Sequence, residues 1–177
     1  MTRPTHLFML LICAGAGGAL AAEPSEPSAP VVSEATLNAP IEAVWKAYTD
    51  RETIESWMVA TSSEVDLSIG GKWRTSYDAN SKLDDDTVIE NEVLAFDPGR
   101  MLAVRTIRPP ADFPFPNAIL DTWTVLYLEP VGDNQTKATV KMFGFTADDE
   151  SQKMRAFFEW GNAYELEKLA THLEVAY

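Results

Sequence analysis

Cysteine is all but missing from this 177-residue sequence: one is present, Cys13, close to the N-terminus. A disulfide-stapled scaffold is therefore excluded, and so are cysteine-based zinc sites. Histidine is nearly as scarce, with His6 and His172 alone. A Ser-His-Asp triad in the folded part would depend entirely on His172, and one imidazole without a thiol makes no zinc centre. Basic residues are few, 14 against 27 acidic ones, for a net charge of −13. Such a surface repels phosphate backbones and anionic lipid heads, which argues against nucleic acid as a partner and fits solubility. Long apolar runs are lacking as well. The longest at the N-terminus, Leu7 to Ala14, is interrupted by Gly15, Gly17 and Gly18, well short of the roughly 20 apolar residues of a membrane span.

That N-terminal stretch reads as an export signal. Arg3 gives it a positive start, Leu7 to Ala14 an apolar centre, and Ala19-Leu20-Ala21 a small-residue cleavage site. Ile12, directly before Cys13, disfavours a lipoprotein signal. Cleavage after Ala21 leaves 156 residues and removes one base, Arg3, with Cys13 and His6. The expected division is a signal peptide at 1–21, a Pro/Ser-rich linker at 22–30 and one folded domain at 31–177. The protein is expected to be periplasmic or secreted, with no stable membrane insertion, and its mature domain must be held by its core alone.

Past the linker, Val31 to Leu37 mixes β-branched and polar residues as a strand does. Asn38 is a candidate cap, with Pro40 in the first turn, for a helix carrying Ile41, Val44, Trp45 and Tyr48 at helical spacing. Asp50 can cap a second short helix with Ile54, Trp57 and Met58 on one face. Strands are then expected over Glu64 to Ile69, Lys72 to Tyr77 after a Gly70-Gly71 turn, Thr87 to Phe96, Met101 to Ile107, Ile119 to Leu128 and Lys137 to Phe143. Arg108 to Asn117 is too rich in proline for a ladder strand. A long helix from about Asp148 to Glu174 closes the chain, with Met154, Phe158, Leu166, Leu169 and Leu173 as its apolar stripe. One strand, two short helices, about six strands and a long helix make an α+β fold with an antiparallel sheet.

Three segments, taken together and in this order, resemble the activator of heat-shock-protein ATPase homologues, a branch of the SRPBCC or START-like superfamily. They are Val44 to Asp50 continuing to Trp57, Ile69-Gly70-Gly71-Lys72-Trp73-Arg74, and Leu126 to Phe145 followed by Trp160-Gly161. The resemblance implies a helix-grip fold: a curved antiparallel sheet around the C-terminal helix, with a cavity that often takes hydrophobic ligands. It does not fix an activity.

The candidate pocket residues are aromatic: Trp57, Trp73, Tyr77, Trp123, Phe143, Phe158 and the loop residues Phe113 and Phe115, with Met154 as adaptable filler. Any one of them taken singly is more often plain core. Asp84-Asp85-Asp86 lacks the spacing of a calcium loop, and His172 has no visible partners, so no metal or cofactor is expected. Asn134-Gln135-Thr136 fits a glycosylation sequon in a turn. The favoured function is binding or carriage of a small apolar ligand, without recognisable catalysis. One alternative is an enzyme acting on a hydrophobic substrate through Glu90, Glu92, Arg105 or Tyr77. Another is a protein-interaction module resembling the chaperone activators.

Overall fold

The computed structural model describes residues 28–176; the expected signal peptide and most of the linker lie outside them. Alternation in Val31–Leu37 makes β1, burying Val31, Ser33 and Leu37. Two helices follow, α1 (Ile41–Thr49) and α2 (Arg51–Met58). Asp50 caps α2 as expected, its carboxylate accepting from the Thr53 N–H at 3.0 Å. Asn38 does not cap α1. The N-cap is Pro40, and the Asn38 side-chain oxygen Oδ1 accepts instead from the Gln135 side-chain amide.

The remaining strands are β2 (Ser62–Val65), β3 (Lys72–Ser76), β4 (Ile89–Asp97), β5 (Met101–Arg108), β6 (Trp123–Gly132) and β7 (Gln135–Phe143). They form one seven-stranded sheet in the order β1-β7-β6-β5-β4-β3-β2. Every pairing is antiparallel, and register shifts in the β4–β5 and β6–β7 pairs bend the sheet. The final helix, α3 (Asp149–Ala176), runs across it, so the α+β helix-grip architecture is present.

Three strand boundaries differ from the sequence expectation by four residues, the others by two at most. β2 stops at Val65, and Ile69 is 70% exposed, because the chain loops so that the Gly71 backbone lies against the Asp66 carbonyl. Ile119 begins no strand: Ala118–Asp121 is a 3-10 turn whose first N–H groups, those of Asn117 and Ala118, donate to the Glu150 carboxylate of α3. β6 continues past Pro130 to a tight turn at Asp133 and Asn134. Proline is tolerated there because β5 pairs with β6 only up to Tyr127, which leaves that end of β6 an edge.

Two apolar clusters result. The larger joins α1, α2 and the C-terminal half of α3 to the sheet through Leu37, Val44, Ile54, Trp57, Leu126, Leu166 and Leu169. The smaller holds the N-terminal end of α3 through Val31, Ile119, Met142, Phe145 and Met154. The space between them is not filled.

Candidate functional site

That space holds two adjoining chambers. The outer, about 430 Å³, is walled by Ile89, Val104, Phe113, Ile119, Trp123, Met142, Phe157 and Phe158 among others. The inner, about 150 Å³, is walled by Tyr48, Trp57, Trp73, Leu102, Leu126, Val140, Glu165 and Leu166. Met58, Val104, Thr124 and Asn162 belong to both walls, so the chambers adjoin. Strand periodicity makes one face of β4, β5 and β6 the floor, and α3 the roof.

Of the aromatic residues expected at a pocket, Trp57, Trp73, Phe113, Trp123 and Phe158 line the cavity. Four candidates do not line it. Tyr77 lies 48% exposed just past the end of β3. Phe143 stacks on Trp123 with ring centroids 5.4 Å apart. Met154 is fully buried in the smaller cluster, and Phe115 packs against that cluster.

The proline-rich loop reaches the mouth through an aromatic interlock. Phe113 and Phe115 from the loop meet Phe157 and Phe158 of α3 at centroid distances between 5.9 and 6.4 Å. Edge-to-face contacts of this kind fix the loop without a backbone ladder. Phe157 escaped the sequence reading because it stands one residue off the α3 stripe.

Polar residues missed by sequence reasoning stand at the inner end. The Trp73 indole N–H, the Asn162 amide nitrogen and one Glu165 oxygen, Oε2, are buried with no hydrogen-bond partner. Burial pushes the Glu165 carboxyl up, and Lys168, 3.8 Å from Oε1, draws it partly back. Burial, followed by the Glu165 charge, pushes the Tyr48 phenol up as well. Asn162 did carry a sequence signal: it takes the place of an apolar residue in the stripe Phe158, Asn162, Leu166, Leu169, Leu173.

Of the acid-base candidates named from sequence, Arg105 is in the wall of the outer chamber, whereas Glu90, Glu92 and Tyr77 line neither chamber. Glu90 and Glu92 alternate with the cavity-lining Ile89 and Asn91 and so face the other side of the sheet. Glu90 is 7% exposed and bonded to Lys72, Arg74 and Arg108. Glu92 holds Arg105 at 2.6 Å. The Lys72 ammonium, then Arg108 and Arg74, hold the Glu90 carboxyl down at about 2.

A carboxylate with a lowered folded-state value stabilises above its ordinary range near 4.5 and loses that contribution as pH falls toward 2. Its three partners are 25% to 43% open to solvent, which screens the pairs. Glu90→Gln is therefore expected to cost about 1 kcal/mol at neutral pH and almost nothing near pH 2. Urea titrations at both pH values check this.

His172 borders a shallow groove with Tyr164 and Lys168 and lines neither chamber. Asp84 meets Arg74 at 3.6 Å, and the Asp85 carbonyl accepts from Arg108, which ties the acidic turn to the sheet. Asn134 is exposed at the hairpin tip. Among the described residues, no helix is long and apolar enough to cross a membrane.

The same architecture is found in solved structures. Protein MLL2253 from Mesorhizobium loti superposes with a TM-score of 0.64 at 23% identity, over 82% of this chain and 96% of that one. The Aha1 dimer from Colwellia psychrerythraea gives 0.61 at 15% identity, over 84% and 98%. CalU16 from Micromonospora echinospora gives 0.57 at 20%, over 80% and 74%. At these identities the likeness is one of fold. No curated protein matches the sequence. The family described as "Activator of Hsp90 ATPase homolog 1-like protein" matches residues 38–174, nearly the whole described chain. The chain belongs to that family, within the SRPBCC or START-like superfamily.

Proposed function

We propose that this protein binds and carries a small, mainly apolar molecule in the two-chambered cavity, and that it does so outside the cytoplasm. The observation that carries the binding reading is the outer chamber, about 430 Å³ and walled chiefly by aliphatic and aromatic side chains. A volume of that size is within the range of small-molecule sites. The two apolar clusters are packed to either side of it and leave it unfilled.

Thr124 stands where the chambers meet. Thr124→Trp, at a strand position suited to an aromatic, fills that junction. The variant is expected to bind the neutral probe N-phenyl-1-naphthylamine at least about tenfold more weakly, a loss of roughly 1.4 kcal/mol, with an unchanged circular dichroism spectrum. Unchanged affinity would mean that the probe sits on the exposed Trp160–Tyr164 stack, and the carrier reading would fail.

Export is supported by Arg3, the apolar run at Leu7 to Ala14 and the Ala19-Leu20-Ala21 site. Intact mass of the protein recovered from its host tests it. The expected product begins at Ala22, and a cytoplasmic product that retains Met1 or Thr2 would remove export from the proposal.

A second reading, an enzyme, is favoured by one observation: Glu165 places a carboxyl with a raised pKa on the inner wall. Carboxyl groups in such settings can act as general acids or bases. Recovery of a bound molecule unchanged after prolonged incubation favours carriage, and its conversion favours catalysis.

A further inference from the structure

Buried polar side-chain atoms without partners are uncommon in folded proteins, and each one costs about 1–3 kcal/mol if it stays unpaired. Among the described residues there are four: Ser62 Oγ, Trp73 Nε1, Asn162 Nδ2 and Glu165 Oε2. Three of the four belong to residues walling one chamber, the inner one. They come from opposite sides of it, Trp73 from strand β3 and the other two from α3. Simple core packing would place apolar groups here, as it does at the neighbouring Leu166 and Leu169.

We infer that the inner chamber is a recognition site for the ligand's head, a neutral ring bearing a hydroxyl group, while the apolar body occupies the outer chamber. This deepens the carrier reading and rests on it.

Size sets the first limit. About 150 Å³ is the volume of a cavity that accepts a benzene-sized guest, so the head is a single ring. Hydrogen-bonding character sets the second. Trp73 offers only a donor, Asn162 an amide N–H, and Glu165 Oε2 an acceptor when ionised. A hydroxyl oxygen can accept from the first two while its hydrogen is donated to the third.

Charge sets the third limit. A ligand carboxylate would sit against Glu165 inside a protein of net charge −13. An ammonium has no lone pair to offer the Trp73 and Asn162 donors and would leave them unpaired. A plain hydrocarbon would leave all three atoms orphaned. The neutral hydroxylated ring is the chemistry that satisfies the set.

The test compares a matched probe pair, 4-butylphenol and butylbenzene, by isothermal titration calorimetry. The phenol is expected to bind at least about tenfold more tightly to the native protein, as one or two well-made hydrogen bonds would give. Asn162→Leu, which continues the apolar stripe of α3 and so keeps the helix packed, is expected to bring the ratio of the two affinities close to one. Glu165→Gln, a conservative change in shape, is expected to reduce the ratio by a smaller factor.

Equal binding of both probes by the native protein would overturn the head site and leave the carrier reading standing. Binding of neither probe would overturn both. A preference for the phenol that persists unchanged in both variants would place its hydroxyl elsewhere and overturn this assignment.

Discussion

Gly144→Ala is expected to destabilise the fold by about 3 kcal/mol or more. Gly144 joins β7 to α3 with φ of +90°, a conformation open to glycine and costly for a residue with a side chain. That alone accounts for about 1–2 kcal/mol. A Cβ built at Gly144 would also stand 2.1 Å from the Asp121 carbonyl oxygen and 2.9 Å from Thr122 Cα. Both obstacles are backbone and cannot swing aside, so the 3-10 turn at Ala118–Asp121 would have to move, at a cost comparable to overpacking a core.

The turn carries Ile119 and is followed by Thr122, both in the wall of the outer chamber. Gly144→Ala is thus expected to weaken probe binding as well as to lower Tm by roughly 10 °C, at about 2–4 °C per kcal/mol for a domain of this size. Differential scanning calorimetry and probe titration on one preparation check both. A variant as stable as the parent would show that the β7–α3 junction can relax without the turn.

Much of this fold was legible in the sequence because its signals are local. The periodicity of Met154, Leu166, Leu169 and Leu173 gave α3 its buried face, and those four are at most 2% exposed. Asp50 caps α2 through contacts three residues away. What was not legible depends on partners distant in the chain. Glu150 binds the N–H groups of Asn117 and Ala118 across 33 and 32 residues, and so turns an apparent strand start into a helical turn. Asn38 has the composition of a cap but is held by Gln135 of the β6–β7 hairpin, 97 residues away.

The site divides in the same way. The abundance of aromatics pointed to a pocket, yet which rings line it depends on which strand face each occupies. That is why Trp73 lines the cavity while Tyr77, a few residues on and past the end of β3, does not. Glu165 was passed over because a glutamate beside an apolar stripe ordinarily lies in water. Its side chain is in fact 38% exposed, and Oε2 alone is buried, on the wall it forms with Asn162 at the inner chamber. Glu90 misleads in the opposite direction, being a buried carboxylate whose three cationic neighbours make it part of an ion-pair network on the far face of the sheet.

Trp57→Ala is the other substitution with a large expected effect, and it acts on stability and on ligand size together. The Trp57 ring is 3% exposed and meets Tyr48 edge to face at 5.4 Å. Its indole N–H donates to the Ala47 carbonyl at 2.6 Å, fastening the end of α2 to the last turn of α1. Truncation removes the ring's burial, the aromatic contact and the partner of that carbonyl, for an expected cost of about 3–5 kcal/mol. Against a typical total of about 5–15 kcal/mol, that is a large share.

Because Trp57 also walls the inner chamber, the cavity left by its side chain joins the chamber rather than standing as an isolated void. A ligand that fills the enlarged space would recover part of the loss through linkage, since binding to the native state alone raises the unfolding free energy. The variant is therefore expected to melt well below the parent. Bulky probes such as 2-naphthol are expected to stabilise it more than 4-butylphenol does, the reverse of their order on the parent. Thermal shifts with both probes on both proteins check this. If the two proteins rank the probes identically, the inner chamber is not where the head of the ligand lies.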